Sequence, residues 1–310
     1  MKNKFSNFNL NMLNLWIGLC RGEEGLPPDI RHLGYKDKWI ELQFSNSENE
    51  TVKPELIIAS DRLRHTVLLE WKEGANTEQD QLRRYAGVAS EDLVQKASLS
   101  PNETLAHDTC VLGLEKYADR LSIGVSQSGY SFPLLIIDED GISLHVNEFT
   151  KQELSRVFDP KLPLDFSKVP TQFVPFDHNS EFWEIAEHVI PQIVEYMCRG
   201  APRFTLKQVA TDCMPVWQAV MAPGYKKELR TKIEQVIDDA ARHEFRGHFK
   251  RHRSVKKRTH TPTWQITYNP NDLPFDKRSR EYRKLSTLQR DFVEALRTGE
   301  RSPLQLSLGI

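Results

Sequence analysis

A chain of 310 residues is long enough for two ordinary domains, and 39% hydrophobic with 27% charged residues describes a soluble globular protein rather than a disordered one. The net charge of −1 conceals a split: residues 245–310 carry 15 Lys and Arg against 6 Asp and Glu, whereas the rest carries 27 against 37. A C-terminal part that faces a polyanion is therefore expected, the bland reading being a solvated surface. No apolar run reaches the roughly 18 residues of a membrane span. The basic opening Met1-Lys2-Asn3-Lys4 lacks a secretory cleavage pattern. Cys20, Cys110, Cys198 and Cys213 offer neither a CxxC pair nor a disulfide framework. These features predict a cytoplasmic protein with free thiols and no membrane partner.

In chain order, residues 9–20 read as a short helix or a helix-to-strand entry. Trp39 to Phe44 alternates as a half-buried strand, and Val52 to Ile58 and Thr66 to Trp71 are richer in β-branched residues and leucine. A polar turn around Ser60-Asp61-Arg62 separates the last two. Glu73-Gly74-Ala75-Asn76 then breaks the chain, and Thr77 with Asp80 approximates a capping box for a helix over residues 78–89. Further strands are expected at Thr109–Leu114, Leu121–Val125, Phe132–Ile137 and Ile142–Val146. A hairpin at Asp138-Glu139-Asp140-Gly141 would join the last two.

The chemistry concentrates on two of these strands. Alternation puts Glu70 and Lys72 on one face and Leu69 and Trp71 on the other, with Glu55 on the neighbouring strand within reach of Glu70. Charges on an apolar strand pair are costly unless they meet one another, water or a metal. Glu55, Glu70 and the Trp71 carbonyl would form an oxygen-rich set suited to Mg²⁺, with Mn²⁺ as a substitute, rather than Zn²⁺. Such a metal would activate water and neutralise charge on a phosphate, and Lys72 would position the water or stabilise the transition state. Gln81 would orient Lys72 or touch a nucleic-acid backbone, and Tyr85 lies one turn beyond it on the helix. Asp61 competes with Glu55 as an acidic ligand, and Glu41 is a weaker addition from the preceding strand. Against this stands an ordinary surface pairing of Glu70 with Lys72 and a Tyr85 that only packs on the sheet.

Pro54-Glu55, Glu70-Trp71-Lys72 and Gln81-Leu82-Arg83-Arg84-Tyr85 together resemble the PD-(D/E)xK nuclease superfamily over roughly residues 35–150. The resemblance implies a restriction-endonuclease-like α/β core with a mixed central sheet flanked by helices. It also implies divalent-metal-dependent cleavage of nucleic acid, with Glu55, Glu70, Lys72 and Gln81 catalytic and Arg84 and Tyr85 near the nucleic acid. An upstream helical acidic residue is common in that superfamily, for which Glu23 and Glu24 are candidates. Glu55 stands where an aspartate is more usual, and its extra methylene changes the reach of the carboxylate.

The nuclease-like domain is placed at residues 1–150, a proline-punctuated linker at 151–180 and a mainly helical domain at 181–310. In the latter, helices are expected from Ser180 through Val194, at Phe204–Thr211, at Met214–Met221 and from Lys226 through Phe245. A basic turn follows, with Phe249 to Arg253, Lys256-Lys257-Arg258 and Trp264 to Thr267, and then a helix over about 282–296. This order resembles a winged-helix domain, with Lys226, Lys227, Arg230, Arg251 and Arg253 facing DNA phosphates. His248 and His252 have helical i,i+4 spacing but make no secure zinc site. The leading expectation is a metal-dependent nuclease acting on DNA in restriction, defence or mobile-element processing, as a homo-oligomer or with another subunit. The alternatives are a noncatalytic DNA-binding or assembly protein on a degenerate nuclease fold, and an RNA-processing nuclease.

Overall fold

A computed structural model describes residues 7–252 and 262–300. The chain divides into two compact units, one comprising the residues through Phe173 with Ala219–Tyr225, the other Val174–Gln218 with the residues from Lys226. The first is an α/β unit. It opens with α1 (Phe8–Arg21) and the single turn α2 (Asp29–His32). Then come β1 (Tyr35–Ile40), the small antiparallel pair β2 (Phe44–Ser45) and β3 (Thr51–Val52), β4 (Leu56–Ser60) and β5 (His65–Lys72). Two helices, α3 (Gln79–Ala86) and α4 (Ser90–Gln95), lead to β6 (Ala106–Leu114), α5 (Ala118–Gln127), β7 (Leu134–Ile137) and β8 (Gly141–Val146). The helix α6 (Gln152–Phe158) and β9 (Leu162–Pro163) complete the unit.

Seven strands form one mixed sheet in the order β1-β4-β5-β6-β7-β8-β9. β1, β4 and β5 are mutually antiparallel, β5, β6 and β7 are parallel, and β8 and β9 return antiparallel. All five residues of β4 and all but the last of β5 are buried, as expected of strands covered on both faces. One face carries Ile57, Leu68 and Val111 against Leu82, Tyr85 and Leu93 of α3 and α4 and Leu121 and Val125 of α5. On the other face, Trp71 donates its indole N–H to Asn9 of α1 at 2.8 Å.

Several expectations change. Residues 121–125 are helical, because two parallel neighbours such as β6 and β7 cannot be joined by a hairpin and need a crossover. Leu121, Gly124 and Val125 form the buried stripe of that helix, and a Cβ on Gly113 of β6 would meet Leu121 at 2.2 Å, so the helix lies close on the sheet. The first strand ends at Ile40, and Glu41 takes a left-handed φ of 49°. The expected strand from Val52 to Ile58 is interrupted around Pro54, which cannot donate to a ladder. Thr77 does not cap α3: Glu78 precedes the helix without a side-chain cap, and the Thr77 side chain abuts Gly124 of α5. The segment expected as a linker supplies α6 and β9 to the first unit through Phe173.

The second unit contains α7 (Phe182–Cys198), β10 (Arg203–Thr205), α8 (Leu206–Cys213), α9 (Pro223–Arg242, in this unit from Lys226), β11 (Phe249–Arg251), β12 (Thr263–Ile266) and α10 (Phe275–Arg297). Residues 214–221, expected as a helix, form turns instead. The antiparallel sheet has the order β10-β12-β11, and its core stacks Phe204 on Trp264 at 5.5 Å with Phe249 edge-on. Among the described residues no helix is long and apolar enough to cross a membrane. All four cysteines are free thiols.

Candidate active site

Strand register lines up three carboxylates. Leu56 pairs with Leu69 across β4 and β5, Glu55 N donates to Leu69 O at 3.0 Å, and the charge of Glu70 acts on the Glu55 carboxyl, so the two carboxylates are neighbours at this end of the strand pair. Ile40 pairs with Leu56 across β1 and β4, and Glu41 N donates to Glu55 O at 3.0 Å, which brings Glu41 beside Glu55. Glu41, Glu55 and Glu70 thus stand in a row at one end of three neighbouring strands. The end of β1 is fixed there by the returning segment of the same unit: Ile40 N donates to Val220 O at 2.7 Å and Ala222 N to Ile40 O at 3.2 Å.

Like charges side by side on a sheet repel, and the row carries its own partial compensation. Lys53 ion-pairs with Glu41. Lys72, on the same face of β5 as Glu70, donates to Glu70 Oε1 at 2.9 Å and to Gln81 Oε1 at 2.5 Å. Gln81 Nε2 in turn donates to Glu70 Oε1 at 2.9 Å, and the Tyr85 hydroxyl donates to Glu70 Oε2 at 2.7 Å. Glu70 is therefore buried with both oxygens engaged, and one turn of α3 delivers both of its helical donors. Burial, reinforced by the charge of Glu70, keeps the Tyr85 phenol protonated far above its ordinary range.

Glu55 is the member left over. Burial first, then the charges of Glu70 and Glu41, push its carboxyl up to about 8, against the partial opposition of Lys53 and Lys72. Three carboxylates with two ammonium groups leave one negative charge to be met by a proton or by a cation. Hard oxygens with surplus negative charge suit Mg²⁺ or Mn²⁺. Leu69 O faces β4, so by alternation the Trp71 carbonyl points to the same side, just beyond Glu55. Glu55, Glu70 and that carbonyl are thus the groups that would hold the ion, with water completing its shell. Among the described residues no three or more His, Cys, Asp and Glu side chains gather as a metal cluster.

The sequence-derived residues separate into those the fold assembles and those it does not. Glu55, Glu70, Lys72, Gln81 and Tyr85 share one site, and Arg84 lines a cleft with Gln81 and Tyr85. Asp61 follows β4 at the hairpin end, where Ser60 pairs with His65, and so lies at the opposite end of the strand pair from Glu55. Glu23 and Glu24 sit in the loop after α1, outside the strand row. Glu41 was the weakest acidic candidate and Lys53 was missed; their only signal is the register, which depends on where β1 ends. In the second unit Lys227 and Arg230 are exposed on α9, and Lys226 is half-buried. Arg251 is not a free phosphate donor. Its guanidinium pairs with Glu234, donates to Asp238 at 2.6 Å and lies 5.8 Å from the Trp264 ring centre, so its charge is spent inside the unit. Arg253 lies outside the described residues.

The family of the MJECL32 domain matches residues 9–174, the stretch from α1 to just beyond β9 that builds the mixed sheet and the carboxylate row. No curated protein and no solved structure matches the chain. With more than half of its length matched, the chain belongs to the MJECL32 domain family.

Proposed function

We propose that this protein is a metal-dependent nuclease that hydrolyses phosphodiester bonds, with DNA as its substrate. The observation that carries the reading is the convergence of Glu55, Glu70, Lys72 and Gln81 at adjacent strand ends, where carboxyl groups outnumber ammonium groups. Bound Mg²⁺ would supply an activated water and offset charge on the phosphoryl oxygens. Glu70 is held in one orientation by Gln81 and Tyr85, which fixes the direction of its oxygens before any ligand arrives. Lys72 keeps its ammonium at the mouth of the site through bonds to Glu70 and Gln81, where it would stabilise a pentacoordinate phosphoryl group electrostatically. The mixed sheet flanked by helices supports the likeness to PD-(D/E)xK nucleases.

In the second unit, the order α7-β10-α8-α9-β11-β12 with the sheet order β10-β12-β11 supports a winged-helix reading. Exposed Lys227 and Arg230 on α9 would then contact phosphates. A noncatalytic DNA-binding role is favoured by one observation: burial and the charges of Glu70 and Glu41 favour the protonated form of Glu55, which weakens it as a ligand until a cation displaces the proton. The test is incubation of the full chain with labelled single- and double-stranded DNA and RNA in Mg²⁺ or Mn²⁺. Cleavage by wild type that disappears in Lys72→Ala and Glu70→Gln supports the nuclease. Binding without cleavage under every metal supports the noncatalytic role, and preferential cleavage of RNA displaces the DNA assignment.

A further inference from the structure

A cleft of about 350 Å³ adjoins the carboxylate row and is lined by Thr51, Val52, Lys53, Gln81, Arg84 and Tyr85. Gln81 and Tyr85 are the two helical donors to Glu70, so the cleft and the site share a wall. Of its polar groups, the Gln81 amide and the Tyr85 hydroxyl already donate to Glu70 and the Lys53 ammonium is paired with Glu41, so the Arg84 guanidinium is the cation of the cleft that is not ion-paired among the described residues. The two neighbouring arginines of α3 differ sharply in how they are used. Arg83 is spent on Glu50, with Nη1 and Nη2 donating to its two oxygens at 2.9 and 2.7 Å. Arg84 has its backbone fixed by Asn46 Nδ2, which donates to Arg84 O at 2.9 Å. Its guanidinium has no hydrogen-bonded or ion-paired partner among the described residues, and it lines the cleft. Lys53 reaches the same cleft while ion-paired to Glu41, a buried carboxylate on a backbone of positive φ. A left-handed conformation in a residue other than glycine costs energy and persists where surrounding structure enforces it.

Resting on the nuclease reading, we infer that Arg84 holds the phosphate next to the scissile one, with Lys53, whose charge is shared with Glu41, as a secondary contact, so that a single strand enters the site along this cleft. The volume falls at the lower end of the range of about 300–1,000 Å³ typical of ligand pockets, which suits one nucleotide unit rather than a duplex. Arg84 offers a planar fork that matches two phosphate oxygens, and Lys53 a compact charge. Glu41 is the positioning residue: it fixes Lys53 through the ion pair and touches no substrate.

The test uses the full chain silenced by Lys72→Ala and a fluorescent single-stranded DNA oligonucleotide, titrated by anisotropy over a range of salt without divalent metal. Adding Arg84→Ala is expected to weaken binding about tenfold, as loss of one charge-assisted contact does. It is also expected to flatten the dependence of log K on log salt by about 0.7. Arg84→Lys recovers part of the affinity, and Arg83→Ala leaves it unchanged. Lys53→Ala combined with Glu41→Gln, which removes a paired cation and anion together and leaves the net charge unchanged, lowers affinity less than Arg84→Ala does and leaves the slope near that of the parent. Wild-type affinity and slope in Arg84→Ala, or no oligonucleotide binding by the parent protein, overturns the inference. The two claims fail separately. A protein that binds through Arg84 but cleaves nothing in any metal loses the nuclease reading, whereas one that cleaves with KM unchanged in Arg84→Ala loses the cleft.

Discussion

Glu55 lies between Glu41 and Glu70 in the strand row, and its ionisation in the metal-free protein is opposed by burial and by both neighbours. Ionising a group arranged this way costs stability. With its folded-state pKa raised to about 8, the folded protein binds more protons than the unfolded chain between the ordinary glutamate range and pH 8. Stability from this group is therefore present at low pH and lost as pH rises through 8. Glu55→Gln removes the charge at nearly constant volume. Above pH 8 and without divalent metal, it is expected to raise stability by at least about 1 kcal/mol, seen as a rise in Tm. The same substitution is expected to abolish metal-dependent cleavage. Equal melting temperatures in chelator, read by calorimetry at pH 9, would show that Glu55 carries no such cost.

β5 is the element that ties the site to the rest of the unit, and its two ends are built differently. Its C-terminal end carries Glu70 and Lys72, whereas its first residue, His65, is buried, with Nδ1 2.6 Å from the Tyr35 hydroxyl and Nε2 2.9 Å from Asp108 Oδ2. Thr150 adds a backbone and a hydroxyl donor to Asp108 at 2.8 and 2.7 Å. Burial raises the Asp108 carboxyl, but the bonds from His65 and Thr150 outweigh it and hold the group below its usual range. Because that pKa is depressed, its stabilisation is present above the unfolded value of about 3.9 and lost as pH falls through the folded one. Asp108→Asn is expected to cost about 1–3 kcal/mol at neutral pH. The gap to wild type should narrow below about pH 4 in urea melts, and a gap constant with pH would contradict the assignment. Much of this element was legible in advance: the alternation of Val67 to Lys72 is a property of the strand alone, and the Gln81 and Tyr85 spacing a property of one helix. Glu41 was legible only as a weaker addition, because its place depends on β1 stopping at Ile40, a tertiary choice fixed by residues 219–222. The segment 121–125 misled because β-branched content says strand, whereas the parallel pairing around it demands a crossover helix.

At the scale of the whole molecule, the family match covers the unit with the carboxylate row, and much of the surplus positive charge falls in the C-terminal part of the sequence. Charge counted along a sequence overstates what a ligand meets: Arg251 is neutralised by Glu234 and Asp238, and Lys232 donates to Ser180 O at 2.8 Å, whereas Lys227 and Arg230 stay exposed. Lys227→Glu combined with Arg230→Glu is expected to weaken binding of a long DNA duplex and to reduce its salt slope by about 1.8. Cleavage of a short single strand should stay at the wild-type rate. Unchanged duplex affinity would remove the winged-helix assignment without touching the first unit. Whether the carboxylate row is a metal centre is read from the anomalous difference map of crystals of the full chain soaked in Mn²⁺. The account predicts a peak bound by Glu55, Glu70 and the Trp71 carbonyl that is absent from Glu55→Gln crystals. A fully soaked crystal with no peak at these three groups would contradict it.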